Sequence, residues 1–506
     1  MTKGDAGTTE TPLVITISEN HPDYIYKTTL FGQSFMSYPL PTILKSSHPV
    51  LMAPGKTFTL DFIFGHPPTE DMKWGLFSFT FGLFGLVSLS YHCIPGDWAG
   101  MKVWNILNYT NTLPKSSKTL VISRDSITPL ENNKTFVISA YYDARESRTV
   151  RVLTINHGED VKELYCWFYC KENRSEYGPV KATIDTHFHW FGFRYGPADV
   201  LCPEPRSCSS EYISIHWSVN RNTSHVPVFE IRNRDPQPFS ANFTVCISTM
   251  FGKHDNVLQF IQALEMYRIL GAQKVVIYKN SCSEAIGQVL DHYVSEGFVE
   301  IVPWPIDRYL RTSDVWHQSM NQENQIGYYG QLPALSDCLY RNMYRSRYVT
   351  FNDIDEIILP RHHQTWHDLM KDLEKYYPRT AVYIIRNHYY PKTITVPVFR
   401  TAFPKSVPGT NILQLVYYEP QRPNFSNNHK MIVNPREVIQ ISVHYAFKTY
   451  KRSVHVPFYI AGLHHGRAPI EPHLPLTSLY KDTTIWKYNT SLITNVNKVL
   501  KQLNYH

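Results

Sequence analysis

The chain has 506 residues, a net charge of +7 and 14% aromatic content. That length exceeds one ordinary core and predicts two folded domains with appendages. The positive charge is spread without a Lys/Arg-rich block, which excludes a nucleic-acid module. The aromatic excess, 34 Tyr and 26 Phe, suits sugar-stacking surfaces and, equally, ordinary sheet filling.

Residues 1–73 carry five Lys and seven acidic residues and read as an N-terminal tail on the cytoplasmic side. Trp74–Ile94 then holds 21 residues without Asp, Glu, Lys or Arg, long enough for a single transmembrane signal anchor. The alternative for this run is a buried hydrophobic hairpin. Residues 95–130 are polar and Asn/Ser/Thr/Pro-containing, as in a stem. Sequons at Asn108, Asn133, Asn173, Asn222, Asn242, Asn424 and Asn489 all lie beyond the apolar run. Seven of the eight cysteines lie there too, with Cys166, Cys170, Cys202 and Cys208 spaced as a disulfide framework; four zinc ligands are the weaker alternative. Together these features predict a single-pass type II Golgi membrane protein with its folded part in the lumen.

Residues 131–238 show short alternating runs without helical periodicity, including Phe136–Tyr142, Thr149–Ile155 and Ile213–Trp217. An all-β, sandwich-like domain is expected, closed by Pro236-Gln237-Pro238. It is either a glycan-binding module or a structural spacer.

From residue 239 to 506 the periodicity switches between two and 3.6. Phe243–Met250 reads as a strand, and Val257, Ile261, Leu264 and Arg268 as one helix face, capped by Asp255 and closed by Gly271. Val275–Tyr278 is a second strand, followed by a helix carrying Ile286, Val289, Leu290 and Tyr293. Phe298–Val302 is a third strand. A helix from about Pro333 to Tyr344 leads to the strand Tyr348–Phe351. This β-α-β order predicts an α/β fold with a mostly parallel, Rossmann-like sheet. The absence of GxGxxG after the first strand argues against a dinucleotide cofactor.

The fourth strand runs into Asp353, Asp355 and Glu356. Strand alternation would turn Asp353 and Asp355 to the same side, towards one Mn²⁺ or Mg²⁺. A sheet edge of this kind suits metal-assisted transfer from a diphosphate donor.

The run Phe243–Pro360 resembles glycosyltransferase family 92. The matching pieces are Glu265-Met266-Tyr267-Arg268 with Leu270-Gly271-Ala272, Val276-Ile277-Tyr278, Gly297-Phe298-Val299-Glu300-Ile301 with Trp304, Gly330-Gln331 with Asp337-Cys338, and Asp353-Ile354-Asp355-Glu356. Weaker likeness continues upstream through Phe136–Asp143 and downstream through Lys430–Pro435, Val443-His444 and Leu463–Arg467. The family's aromatic between the late His and Arg is Gly466 here. The resemblance implies a GT-A fold, inverting chemistry and β-galactosyl transfer from UDP-galactose onto a glycan or glycoprotein acceptor.

Donor-site candidates follow from position at the strand ends: Thr249, His254 and Asp255 after the first strand, and Tyr278 after the second. Asp337, on the helix before the acidic edge, is a donor or catalytic candidate, or simply a partner of Arg341. Asp353 also faces the donor, with Lys430 and Arg467 as diphosphate partners. The metal candidates are Asp353, Asp355 and, as third ligand, His444 or His465. Glu419 is the candidate base for the acceptor hydroxyl. Two other readings compete: a phosphotransferase using Asp353 as nucleophile, and a non-catalytic glycan-binding membrane protein with a vestigial transferase domain.

Overall fold

The computed structural model describes residues 121–505, except 172–174, 188–189, 221–225 and 423–427, together with five backbone strands nearer the N-terminus. Those five belong to a separate unit, Met1–Leu113. Within it Phe58–Phe64, Gly75–Gly82 and Gly85–Cys93 form an antiparallel three-stranded sheet. The run expected as an anchor, Trp74–Ile94, thus carries two paired backbone strands, Gly75–Gly82 and Gly85–Cys93. The cause is legible in Phe77, Phe79 and Phe81 alternating with Ser78, Thr80 and Gly82, a two-residue period suited to a pleated strand. No helix among the described residues is long and apolar enough to cross a membrane. The rest of the expected tail, and the expected stem up to residue 120, lie outside the described residues.

Residues 114–506 form one unit. Its first part is β throughout: β1 (Thr135–Asp143), β2 (Thr149–His157), β3 (Tyr165–Cys170), β4 (Glu176–Lys181), β5 (Thr183–Thr186), β6 (Tyr195–Pro203), β7 (Ser210–His216) and β8 (Phe229–Arg232). With Thr128–Pro129 they make a nine-stranded sheet in the order β4-β3-β7-β8-β1-β2-β6-β5. A flat sheet would hold β3 and β6, five places apart, roughly 24 Å from each other. Yet the Cys166–Cys202 disulfide joins them with their Cα atoms 6.1 Å apart. The sheet must fold over on itself. Val137, Val152 and Val200 from one half then meet Phe168, Ile213 and Ile215 from the other in a shared core. Cys170 pairs with Cys208, so the cluster is a disulfide framework and not a zinc site.

The second part is mixed α/β. Its elements are β9 (Ala241–Met250), α1 (Val257–Leu270), β10 (Lys274–Lys279), α2 (Glu284–Ser295), β11 (Val299–Pro303), α3 (Gln331–Arg341), β12 (Ser346–Phe351), β13 (Glu356–Pro360), α4 (Trp366–Tyr376), β14 (Thr380–Pro391), β15 (His429–Val433), β16 (Arg452–Val456), β17 (Ala461–Arg467) and α5 (Asn489–Gln502). The order is β11-β10-β9-β12-β15-β14-β17-β13, with β16 beside β14. The first four strands are parallel, as the βα periodicity predicts. Beyond β12 the sheet becomes mixed: β15 runs antiparallel to both β12 and β14, and β13 antiparallel to β17.

Asp255 does not cap α1. That role falls to its neighbour Asn256, whose side chain accepts the Gln259 N–H, while Gly271 closes the helix at φ 103°. Helix α3 lies between the two sheets. Leu335 and Leu339 share one core with Phe136, Tyr141 and Leu153 of the β region and with Val276, Val349 and Phe351 of the α/β sheet. The disulfide Cys246–Cys338 ties α3 to β9.

Candidate active site

Strands β12 and β13 are joined by Asn352, Asp353, Ile354 and Asp355, and the chain turns there. The extended run that would have placed both aspartates on one side is therefore corrected. Three bonds lock the turn: Glu356 N–H to Asp353 O (3.0 Å), Asp353 N–H to Glu356 Oε2 (2.8 Å) and Asn352 Nδ2–H to Glu356 O (3.1 Å). The Tyr267 hydroxyl of α1 clamps it from below, donating to Glu356 O at 2.8 Å and Asp353 O at 3.2 Å. The result is two aspartates with separate partners.

Asp353, 42% exposed, pairs with the buried Lys430 of β15 at 3.0 Å, and Lys430 also pairs with buried Glu356 at 3.0 Å. Burial disfavours the ammonium, but the two carboxylates outweigh it and hold Lys430 above its ordinary range. Asp355 instead meets His465 of β17: Oδ2 lies 3.4 Å from Nε2. Burial pushes the Asp355 carboxyl up, and the imidazole beside it wins, holding it at about 2. Burial pulls His465 down, and Asp355 and Glu356 raise it above its usual value. This pairing comes from register, since Glu356 stands opposite His465 across β13 and β17.

The other ring nitrogen of His465, Nδ1, lies 3.3 Å from Glu356 Oε1 and 3.1 Å from the Asn387 side-chain amide. Asn387 Oδ1 is buried and without a partner. Turning that amide over lets Oδ1 accept an Nδ1–H, so that Nε2 can ligate once it gives up the proton it shares with Asp355. A ligating histidine is commonly held in this way. Among the described residues no three His, Cys, Asp or Glu side chains converge as a ready cage. The fit is instead an open carboxylate–imidazole pair, the donor chemistry that leaves positions for water and phosphate oxygens on Mn²⁺ or Mg²⁺.

Other candidates divide into those near this turn and those away from it. His444 sits near Lys430 and donates its Nδ1–H to His429 O at 2.9 Å. Burial and the Lys430 charge hold its pKa down to about 4. Arg467 ends β17 and lies over the Tyr389 ring at 5.6 Å. Thr249, at the end of β9, donates to Tyr328 O at 2.7 Å. His254 and Asp255 are exposed on the loop before α1. Glu419 is 3% exposed and donates its backbone N–H to Tyr389 O; its Oε1 accepts Ile470 N–H at 2.8 Å and Glu471 N–H at 3.3 Å, and its Oε2 has no partner.

Asp337 and Tyr278 belong elsewhere. Asp337 is fully buried and accepts from Tyr141 (2.7 Å), Tyr278 (2.6 Å) and both Nε and an NH2 of Arg341 (3.0 and 2.9 Å). One bond goes to Oδ1 and three to Oδ2, and no part of the carboxylate reaches solvent. This carboxylate ties the β region, β10 and α3 together, so its role as a donor or catalytic group is corrected to a structural one.

Two residues at the turn escaped the sequence reading. Lys392, just past β14, feels burial, which lowers its ammonium, and the opposing pull of Asp355. Tyr328 has φ 41° and ψ 47°, the first of three consecutive left-handed residues with Tyr329 and Gly330. Burial and the Asp353 charge push its phenol up and Arg467 pulls it down, so its hydroxyl stands within electrostatic reach of both. The clearest hint was the Gly330 that closes this strained turn. Gly466 also acquires a reason: a Cβ there would come within 2.7 Å of Leu415.

Acidic residues beside basic side chains at the C-terminal end of a parallel strand lie where an open α/β sheet places its ligand site. The sequence model of Glycosyltransferase family 92 matches residues 241–504, just over half of the chain, and the chain belongs to that family. Among curated proteins, a glycosyltransferase family 92 protein of Caenorhabditis elegans is 25% identical over 46% of this chain and 43% of its own length. A second such protein from that organism is 22% identical over 44% and 41%. A third C. elegans protein, named beta-1,4-galactosyltransferase, is 24% identical over 25% of this chain and 27% of its own. The chain spans less than half the length of each of these relatives.

Proposed function

We propose that the protein is a metal-dependent inverting transferase that moves a hexose, galactose from UDP-galactose, onto a hydroxyl of a glycan. The observation that carries this is the Asp355–His465 pair standing beside Asp353 and Lys430 on a turn at the end of a parallel strand. The galactose assignment rests on the relative named beta-1,4-galactosyltransferase.

Asp355 and His465, with Asp353 beside them, would hold Mn²⁺ or Mg²⁺, which when bound offsets charge on the diphosphate. Lys392 and Arg467 supply fixed cations for phosphate oxygens, so the departing UDP needs no proton. Lys430, paired with both Asp353 and Glu356, holds the turn in place. The acceptor oxygen attacks the anomeric carbon as the bond to the UDP oxygen breaks, and the acceptor proton passes to a carboxylate. Glu419 suits that role, with one oxygen anchored by two backbone N–H groups and the other free to accept.

The compartment follows as the Golgi lumen. Among the described residues, three disulfides and two exposed sequon asparagines, Asn133 and Asn242, support it. A glycosidase-sensitive mobility shift is expected, and an unglycosylated product with free thiols would overturn the compartment.

The deciding experiment screens UDP-sugars with Mn²⁺ against N-glycan and β-galactan acceptors. Transfer should vanish on chelation, return best with Mn²⁺, and be abolished in Asp355→Asn with the melting curve preserved. Full activity in Asp355→Asn would refute the site.

A further inference from the structure

One feature of the fold has no part in that scheme. A cleft lies between the segment Trp190–Pro197 of the β region and Trp316–Pro333 of the α/β region, open to solvent. Trp190, Phe191, Phe193, Trp316, Ile326 and Tyr328 are among its walls, and none of its described lining residues is charged. The indole of Trp316 is 51% exposed, and its ring meets that of Phe191 edge-on at 6.0 Å. An exposed tryptophan at the mouth of an uncharged aromatic cleft offers a flat apolar face to a ligand.

The walls are rigid by construction. Trp190 lies flat against Gly158 and Gly196, where a Cβ would come within 2.5 and 2.3 Å of its ring, and Phe193 covers Gly327 in the same way at 2.5 Å. Backbone bonds stitch the sides together: Tyr195 N–H donates to Gln325 O, and Gln318 N–H to Phe191 O, both at 3.0 Å. An aromatic site whose rings need not reorganise loses little on binding.

Tyr328 connects this cleft to the acidic turn. It lines the cleft, while its hydroxyl lies within electrostatic reach of Asp353 and Arg467. Charge then separates the two ends. The end with Lys392, Arg467 and the carboxylates suits an anionic nucleoside diphosphate; the uncharged aromatic end suits a neutral ring with C–H faces. We propose that this cleft is the acceptor subsite, built jointly by the β region and the α/β region, and that it takes a neutral oligosaccharide stacked on Trp316 and Phe191. The identity of the occupant as an acceptor rests on the glycosyl-transfer reading; binding of the sugar does not. The β region is thereby a specificity element and more than a spacer.

The test uses the full chain and the exposed variant Trp316→Ala, with Trp316→Tyr as the conservative change and Tyr376→Ala, an exposed aromatic elsewhere, as control. Binding is read without catalysis, on an array of neutral oligosaccharides and by fluorescence titration. Wild type and the control should bind at least one oligosaccharide alike, Trp316→Ala about tenfold more weakly, and Trp316→Tyr in between. In transfer assays the acceptor KM should rise about tenfold in Trp316→Ala with the donor KM unmoved. Equal binding by Trp316→Ala, or no neutral sugar bound by wild type, overturns the subsite. A raised donor KM with the acceptor KM unchanged would assign the cleft to the nucleotide instead. If wild type handles no UDP-sugar yet Trp316→Ala still loses the oligosaccharide, the cleft stands and the transfer reading falls.

Discussion

Replacing Asp337 by Asn should damage stability and spare donor binding. The substitution keeps side-chain volume but removes the charge facing Arg341, and it puts an amide donor where only donors point: two tyrosine hydroxyls and a guanidinium. Breaking a buried ion pair by removing one partner costs about 3–5 kcal/mol. Glu300, 3.6 Å from another Arg341 nitrogen, shares part of the stranded charge, so the lower end is expected. In a unit the size of Pro114–His506 the corresponding fall in Tm is on the order of 4 °C. The assay pairs thermal unfolding of the full chain with donor KM measured well below the variant's Tm. An unchanged Tm with a raised donor KM would return Asp337 to the donor site and refute the structural role.

Three further outcomes are expected. Cys166→Ala with Cys202→Ala should cost about 4 kcal/mol of stability in denaturant unfolding, from the loop entropy of a 36-residue separation, because this bond closes the folded-over sheet. Asn256→Ala should cost roughly 1–2 kcal/mol by losing the α1 cap and the Thr410 N–H bond, whereas Asp255→Ala next door should fall within about 0.5 kcal/mol of zero; chemical denaturation separates them. Burial and the nearby Arg361 hold His388 down to about 3, against 6.5 when unfolded, so the unfolded chain binds the extra proton. Its contribution is complete above pH 6.5 and lost as pH falls towards 3; His388→Gln should flatten the unfolding midpoint between pH 7 and pH 5.

The parallel half of the α/β sheet was readable because its signals are local. Phe243–Met250, Val275–Tyr278 and Phe298–Val302 are apolar runs between capped helices, and each pairs as the βα rule requires. What failed depended on distant partners. Asp337 looks like a residue aimed at the acidic edge until Tyr141, 196 residues earlier, takes one of its oxygens. Asp353 and Asp355 read as one extended stretch because nothing nearby reveals that Glu356 begins a strand paired with Ala461–Arg467. The apolar run at residues 74–94 carries two signals at once: its composition suits a span, and its Phe/Ser/Thr alternation suits strands.

The change from parallel to mixed pairing is what assembles the site. A purely parallel sheet would leave the turn after β12 with carboxylates alone, which repel one another and an incoming diphosphate. The antiparallel return of β15 sets Met431 opposite Phe351 and so brings Lys430 beside Asp353 and Glu356. The pairing of β13 with β17 sets His465 opposite Glu356 and beside Asp355. Side chains alternate along a strand, so a slip of one residue in either pairing would turn Lys430 or His465 to the opposite face. Two register choices thus convert a repulsive acidic turn into one that is part neutralised and part open. Asp353 with Lys430 and Glu356 fixes the geometry, and Asp355 with His465 is the pair to which the proposed function assigns the metal.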